Sequence, residues 1–276
     1  MKSQRRFTRA LAYIGLAIML VCALFPIYWI LVTSFKATAE IYRLTPSFWP
    51  EQFVIDGYTN LMSRTKFVSW LRNSAIIALV VAAFSLVLSV FAAYGLARFR
   101  FQGRRLVGFM ILVAYLMPPA LLFIPLYIFV TRLGLAGSTA GLLVVYPTIT
   151  IPYATWVLTS YFRSIPIDME EAAQIDGCSR LGALWHVTLP LSAPGIVSTF
   201  IFAFTLCWSE YLYALVILSG EAQTIPLGLS SLIVADVPRW NEIMAGAMIT
   251  SIPVTIMYIA ASRYIVSGLT LGGSKG

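Results

Sequence analysis

The sequence predicts an all-α membrane protein with six transmembrane helices, and three observations carry that expectation. Of its 276 residues, 59% are apolar and only 11% are charged, whereas soluble domains carry roughly a quarter charged and about half apolar residues. Six stretches of 20 to 30 residues contain no charged side chain, and a spanning helix needs about 20 consecutive apolar residues. The basic residues between those stretches alternate in abundance from one connection to the next, as the two sides of a membrane require. More than half of the chain lies in the uncharged stretches, which leaves no interval for a soluble domain of ordinary size. A single polytopic domain over residues 1–276 is therefore expected.

The first stretch, residues 10–35, follows Lys2, Arg5, Arg6 and Arg9. That is how a secretory signal begins, but 26 uncharged residues exceed an h-region of about 7 to 15, so a retained helix is expected. Residues 36–70 follow, with Pro46, Trp49, Pro50, Asp56 and Gly57, a composition suited to an ordered external loop with aromatic anchors at the interface. The second stretch, residues 73–97, ends at Arg98, Arg100, Arg104 and Arg105. The third, fourth and sixth, residues 106–131, 133–162 and 243–262, contain Pro118, Pro119, Pro125, Pro147, Pro152 and Pro253. Each proline removes a backbone donor and bends its helix, which lipid tolerates only where neighbours or a cavity satisfy the freed carbonyl. Kinked helices around one centre suit a translocation path.

With the N-terminus inside, the cytoplasmic segments hold twelve lysines and arginines and the external segments seven, most of the latter in the long loop where the bias is weakest. Both termini are thus expected in the cytoplasm. The net charge of +8 then follows from topology, and nucleic-acid binding has no support. Cys22, Cys178 and Cys207 share no ligand or redox spacing, and the single histidine, His186, has no Cys or carboxylate neighbour at ligand spacing, so no metal site is expected.

Glu210 is the one acid enclosed by apolar sequence, between residues 187–209 and 211–218, and such a residue is a functional candidate by default. If its helix enters near Gly195, fifteen residues at about 1.5 Å each place it about 22 Å deep. It should face water or a partner, and a hydrogen bond across helices is its plain structural alternative. Trp208 and Tyr211 beside it, with Tyr153, complete the candidate substrate path, since rings and hydroxyls of this kind stack on and bond to sugars.

Between the fourth and fifth stretches, residues 163–190 carry Asp168 and, three residues on, Glu171, with Gly177 beyond. This predicts a capping box, a helix of about two turns and a left-handed stop. Met169, Ala172 and Ala173 fall at i, i+3 and i+4, a narrow small-residue face that another protein could approach closely. Ser179 is expected to cap a second short helix, with Pro190 and Pro194 preparing the turn into the membrane.

These residues also carry a resemblance. Glu171-Ala172-Ala173, three residues, Gly177, nine residues and Val187-Thr188-Leu189-Pro190 resemble the EAA loop of ATP-binding-cassette importer permeases, with Val187 where the family usually has Ile. Phe25-Pro-Ile-Tyr-Trp-Ile-Leu-Val-Thr-Ser-Phe-Lys36, Pro118-Pro119 with Ile124-Pro-Leu-Tyr127 and Leu133-Gly-Leu135, and the end from Ile265 to Gly276 are similar to its carbohydrate-uptake, MalG-type branch. The resemblance spans the whole chain and implies the type I ABC importer permease fold. It implies a transmembrane core over about residues 70–263 and a cytoplasmic tail over 264–276, in a bacterial inner-membrane complex working by alternating access.

The partners so implied are a second permease, an ATPase dimer, an external solute-binding protein and a sugar-like substrate, besides membrane lipid. Glu170, Glu171, Ala172, Ala173, Asp176 and Gly177 would form the ATPase-coupling helix. Gly272, Gly273, Ser274, Lys275 and Gly276 would form a tail contacting the ATPase, although Gly273 and Ser274 depart from the family's common Gly-Ala-Val-Lys-Gly. Ser209-Glu210 resembles a family position more often occupied by Asn and an acid. No phosphate-binding Gly-x4-Gly-Lys-Ser/Thr loop exists here, so ATP and Mg are expected on a partner chain and no catalytic residue or cofactor on this one. Two alternatives remain open at this level: an ion-coupled secondary transporter titrating Glu210, and a membrane enzyme, which would need a nucleophile, a metal or paired acids within the membrane.

Overall fold

The computed structural model describes residues 2–220, 222–233 and 237–272. Apart from one parallel bridge between Gly137 and Leu218, the regular structure of the described residues is helical. In chain order the helices are α1 (Lys2–Ser34), α2 (Thr38–Ile41), α3 (Asp56–Arg64), α4 (Phe67–Arg98), α5 (Arg104–Leu116), α6 (Pro119–Arg132), α7 (Thr139–Val145) and α8 (Pro147–Ser164). There follow α9 (Ile167–Ile175), α10 (Arg180–Ala183), a π-helical turn (Leu184–Thr188), α11 (Leu189–Leu191), α12 (Ala193–Ser209), α13 (Leu212–Ile217), α14 (Ile225–Ser231) and α15 (Trp240–Gly272). The chain divides into two compact units, residues 1–67 with 228–252, and residues 68–227 with 253–276.

In the first unit, α1 supplies an apolar span, Leu11–Ser34, whose side chains are exposed from Leu11 to Ile27, while Val32, Thr33 and Ser34 at its end are buried. A helix of that length and hydropathy can cross a membrane. The segment expected as a loop over residues 36–70 is shorter, because α2 and α3 fold within it and Trp70 already lies in α4. Two buried charges organise it. The Lys36 ammonium donates to the Ser47 carbonyl and stands 4.7 Å from the centre of the Trp29 ring, while the Ser47 hydroxyl donates to Glu40. Glycine is required at position 57, where a Cβ would stand 2.7 Å from the Asn241 carbonyl oxygen.

In the second unit, α4 and the α7–α8 segment Thr139–Ser164 are long apolar spans. Their contact is greased by Val90, Ala93 and Tyr94 of α4 against Leu158 and Phe162 of α8, with Leu184 of the π turn. It is registered by short polar side chains: the Ser85 and Thr150 hydroxyls are 2.6 Å apart, and Ser89 donates to the Ile151 carbonyl at 3.3 Å. Such bonds between helices keep two rods aligned where water cannot compete. At Gly195 a Cβ would lie 2.5 Å from the Tyr161 ring, so glycine lets α12 lie directly on α8.

The expectation of a kinked third helix is corrected. At Pro118-Pro119 the chain breaks outright, and α5 and α6 diverge by 97°. Two successive prolines remove two donors and push the residue before them out of the helical region, and both Met117 and Pro118 are extended. The fifth span is also broken, with 79° between the segments Arg180–Leu191 and Ala193–Ser209. Among the described residues four helices are long and apolar enough to cross a membrane, and the count reaches six when each bent pair forms one span.

Candidate functional site

The segment between α8 and α12 is built around one buried carboxylate. Glu170 of α9 is 2% exposed. Its Oε1 accepts from Arg98 Nε at 2.7 Å and from the Thr188 hydroxyl at 2.5 Å, and the Tyr94 hydroxyl donates to its Oε2 at 3.0 Å. Arg98 reaches further, its Nη2 donating to the Ile165 carbonyl at 3.1 Å immediately before α9 begins. The last turn of α4 thereby grips both the start of α9 and its first inward-facing side chain. A buried ion pair repays its desolvation only with good geometry and further hydrogen bonds, and here two hydroxyls supply them.

The capping box does not form. Pro166, with φ −55° and ψ 135°, is the N-cap and starts the helix at Ile167, so Asp168 falls inside the first turn and makes no capping bond. Proline at the entry fixes the chain direction before a side-chain cap could act. The helix stop forms as the sequence indicates. Gly177 has φ 93°, Gly177 N–H donates to the Gln174 carbonyl at 3.1 Å, and Cys178 N–H donates to the Ala173 carbonyl at 2.9 Å. Together these are the two bonds of a Schellman cap. The Ser179 hydroxyl caps α10, accepting from Gly182 N–H at 3.1 Å.

With Glu170 turned inward, α9 presents the opposite side outward. Glu171, Ala172, Asp176 and Gly177 are exposed, and Ala173 is half-buried. Around them stand exposed apolar side chains, among them Met169, Leu181, Trp185 and Ile175, the last 86% exposed. His186 bonds through Nδ1 to the Gly182 carbonyl at 2.8 Å, a local role within the π turn. Of the tail, Gly272 ends α15, whereas Gly273, Ser274, Lys275 and Gly276 lie outside the described residues.

Glu210 takes its structural alternative. It ends α12 in an extended conformation, and its Oε2 accepts from the Tyr146 hydroxyl at 2.9 Å and from Ala214 N–H at 3.2 Å. Its Oε1 accepts from Tyr213 N–H at 2.9 Å. The carboxylate thus satisfies the orphan donors at the start of α13 and ties them to the α7–α8 junction. Trp208 is buried and stacks on Phe204 at 5.3 Å, while Tyr211 is exposed. Tyr153 belongs to a different group: its ring stacks on Phe202 at 3.8 Å and stands 5.5 Å from Tyr115. Arg98, Tyr94 and Thr188 escaped the sequence reading. Their only sequence signal is that Arg98 closes an uncharged stretch and Thr188 lies in the motif after Gly177.

This fold is the type I importer permease fold. Over 96% of this chain and 98% of the other, it superposes with a TM-score of 0.81 at 26% identity on a chain from the crystal structure of a bacterial ABC transporter involved in the import of the acidic polysaccharide alginate. The inner membrane ABC transporter permease protein YcjP of Escherichia coli is 36% identical, with 99% of each chain covered. The sulfoquinovosyl glycerol transport system permease protein SmoH of Agrobacterium fabrum is 37% identical over 97% of this chain and 94% of its own.

Residues 85–270 match the model of the binding-protein-dependent transport system inner membrane component family, and the chain belongs to that family. It is a multi-pass inner-membrane permease subunit of an ABC importer, without catalysis of its own, and ATP hydrolysis falls to a partner. Membership sets aside both the ion-coupled transporter and the membrane enzyme.

Proposed function

We propose that this chain forms half of the translocation path of an ATP-driven importer of a sugar or sugar derivative, and that residues 163–190 couple it to a separate ATPase. The sugar class rests on relatives named for sugar cargo. Coupling rests on one observation: α9 is locked to the end of α4 through Arg98 and Glu170 while its other side stands free. An element pinned on one side and exposed on the other transmits a push from a partner into a membrane helix instead of absorbing it. Glu171, Ala172, Ala173, Asp176 and Gly177 are then the contacting residues, and Glu170 is a positioning residue. The segment is cytoplasmic, as are both termini, and the tail from Gly272 to Gly276 reaches the ATPase. ATP and Mg reside there, a second permease completes the path, and an external solute-binding protein delivers cargo. Tyr153, Trp208, Tyr211 and Glu210 belong to the walls of the path, Glu210 as their brace.

The test is to tag the N-terminus, solubilise membranes in mild detergent and identify co-purifying chains by mass spectrometry. A P-loop ATPase and a second permease are expected. Glu171→Lys and Gly177→Pro should leave the chain inserted while uncoupling ATP hydrolysis from uptake. Recovery of a chain that works alone in liposomes without ATP would overturn the reading.

A further inference from the structure

A second site lies beside the α4–α5 connection, where a cavity of about 640 Å³ is lined by Arg104, Arg105 and Arg163 together with Phe109, Leu112 and Trp156. Its lining contains three guanidinium groups and no acid. Arg43 pairs with Glu51, Arg98 with Glu170 and Arg239 with Glu242, and among the described residues none of the three cavity arginines has a carboxylate partner. Arg104 and Arg163 reach only backbone carbonyls, of Phe99 and Leu96, each at 3.4 Å. Three like charges on one cavity repel one another until an anion enters.

The backbone points the same way. Arg104 and Arg105 open α5, a helix of 13 residues whose first turn contains no acid and whose N-cap, Gly103, offers no side chain. The positive end of a helix dipole favours anions and disfavours cations, so two arginines there are set against their own helix. That conflict is relieved by a bound anion and by nothing else that lines the cavity. Phe109 and Leu112 continue down α5, and Trp156 on α8 is exposed at the wall. Below the charged rim the site is therefore apolar, and an amphiphile with an anionic head matches both halves, as basic pockets between transmembrane helices do elsewhere.

We propose that this cavity binds an anionic phospholipid, with its phosphate on Arg104, Arg105 and Arg163 and an acyl chain along Phe109, Leu112 and Trp156. The assignment to the cytoplasmic leaflet rests on the topology proposed above; the binding chemistry does not. Arg104 and Arg163 bond the Phe99 and Leu96 carbonyls on either side of Arg98, so a lipid there buttresses the α4 end that grips α9.

The test is native mass spectrometry of the detergent-purified complex, titrated with dioleoylphosphatidylglycerol or dioleoylphosphatidylcholine. Preferential retention of phosphatidylglycerol is expected, falling about ten-fold, the equivalent of roughly 1.4 kcal/mol, in the Arg104→Gln/Arg105→Gln/Arg163→Gln variant. Trp156→Ala should weaken retention while leaving the preference for the anionic head. Glycerol phosphate offered in excess should not displace the lipid. Complete displacement would make the ligand a water-borne anion and overturn the lipid assignment, as would equal retention of both lipids or equal retention by wild type and triple variant. Adducts are scored on this chain's own mass, so a missing ATPase would count against the coupling reading and leave the lipid result intact.

Discussion

Arg98 Nε lies 2.7 Å from Glu170 Oε1, with both side chains less than a tenth exposed, across 72 residues of sequence. This contact fastens α9 to the end of α4. Removing one partner strands a buried charge, at a cost of about 3–5 kcal/mol, whereas replacing both with apolar side chains can be close to neutral. Arg98→Met and Glu170→Gln should each lower the thermal midpoint of the purified complex, Arg98→Met more, because Gln keeps hydrogen-bonding capacity. The Arg98→Met/Glu170→Leu double variant should recover much of the loss in stability. Additive losses in the double variant would show that the two side chains act independently.

Glu210 accepts three hydrogen bonds, from Tyr146, Tyr213 and Ala214, and its expected role is mechanical. Glu210→Gln preserves acceptor capacity and should retain uptake with an unchanged pH profile. Glu210→Ala leaves the buried donors unpaired, which costs about 1–3 kcal/mol for a group so stranded, and should lower thermal stability and uptake together. Transport by Glu210→Gln that has lost dependence on external pH would restore a titrating role to this carboxylate.

Charge and hydropathy placed the spans because lipid imposes a length and an apolarity that any reader of the chain can count. The stop at Gly177 and the cap at Ser179 were legible for a similar reason: each is decided by a few adjacent residues. Glu170 was not, because its environment is set by Arg98 and Thr188 from other elements, and nothing near it distinguishes it from Glu171. Asp168 misled because a local rule for caps met a stronger one, the fixed φ of Pro166. The breaks at Pro118-Pro119 and near Ser192 showed as prolines, but whether such a residue bends or breaks a helix depends on packing that a single chain does not spell out.

Gly177 holds φ 93°, and beyond its two chain neighbours no heavy atom lies within 4 Å of where a Cβ would stand. Substitution there meets backbone strain alone, which for an L-residue in the left-handed region is about 1–2 kcal/mol. Gly177→Ala should therefore cost about that much, and Gly177→Asn less, since Asn tolerates this region. Hydrogen exchange at Cys178 N–H, which closes the cap onto Ala173, reports the loosening directly, and equal protection in all three proteins would refute a conformational requirement for glycine.

Ala172 is exposed on the side of α9 away from Glu170, among apolar side chains that water alone would not select. If that side is a seat for the ATPase, its small size matters only in the complex. Ala172→Trp adds bulk to a helix whose own packing it does not touch, so the thermal stability of the isolated chain should change by no more than about 0.5 kcal/mol, the usual range for surface substitutions. Recovery of the ATPase on the tagged chain should fall sharply. Thr188→Val, buried beneath the same helix, should do the reverse, weakening the fold through Glu170 before it affects a direct contact. Equal ATPase recovery by Ala172→Trp and wild type would place the interface elsewhere and leave α9 an internal brace, whereas loss in Ala172→Trp alone separates contact from positioning within one two-turn helix.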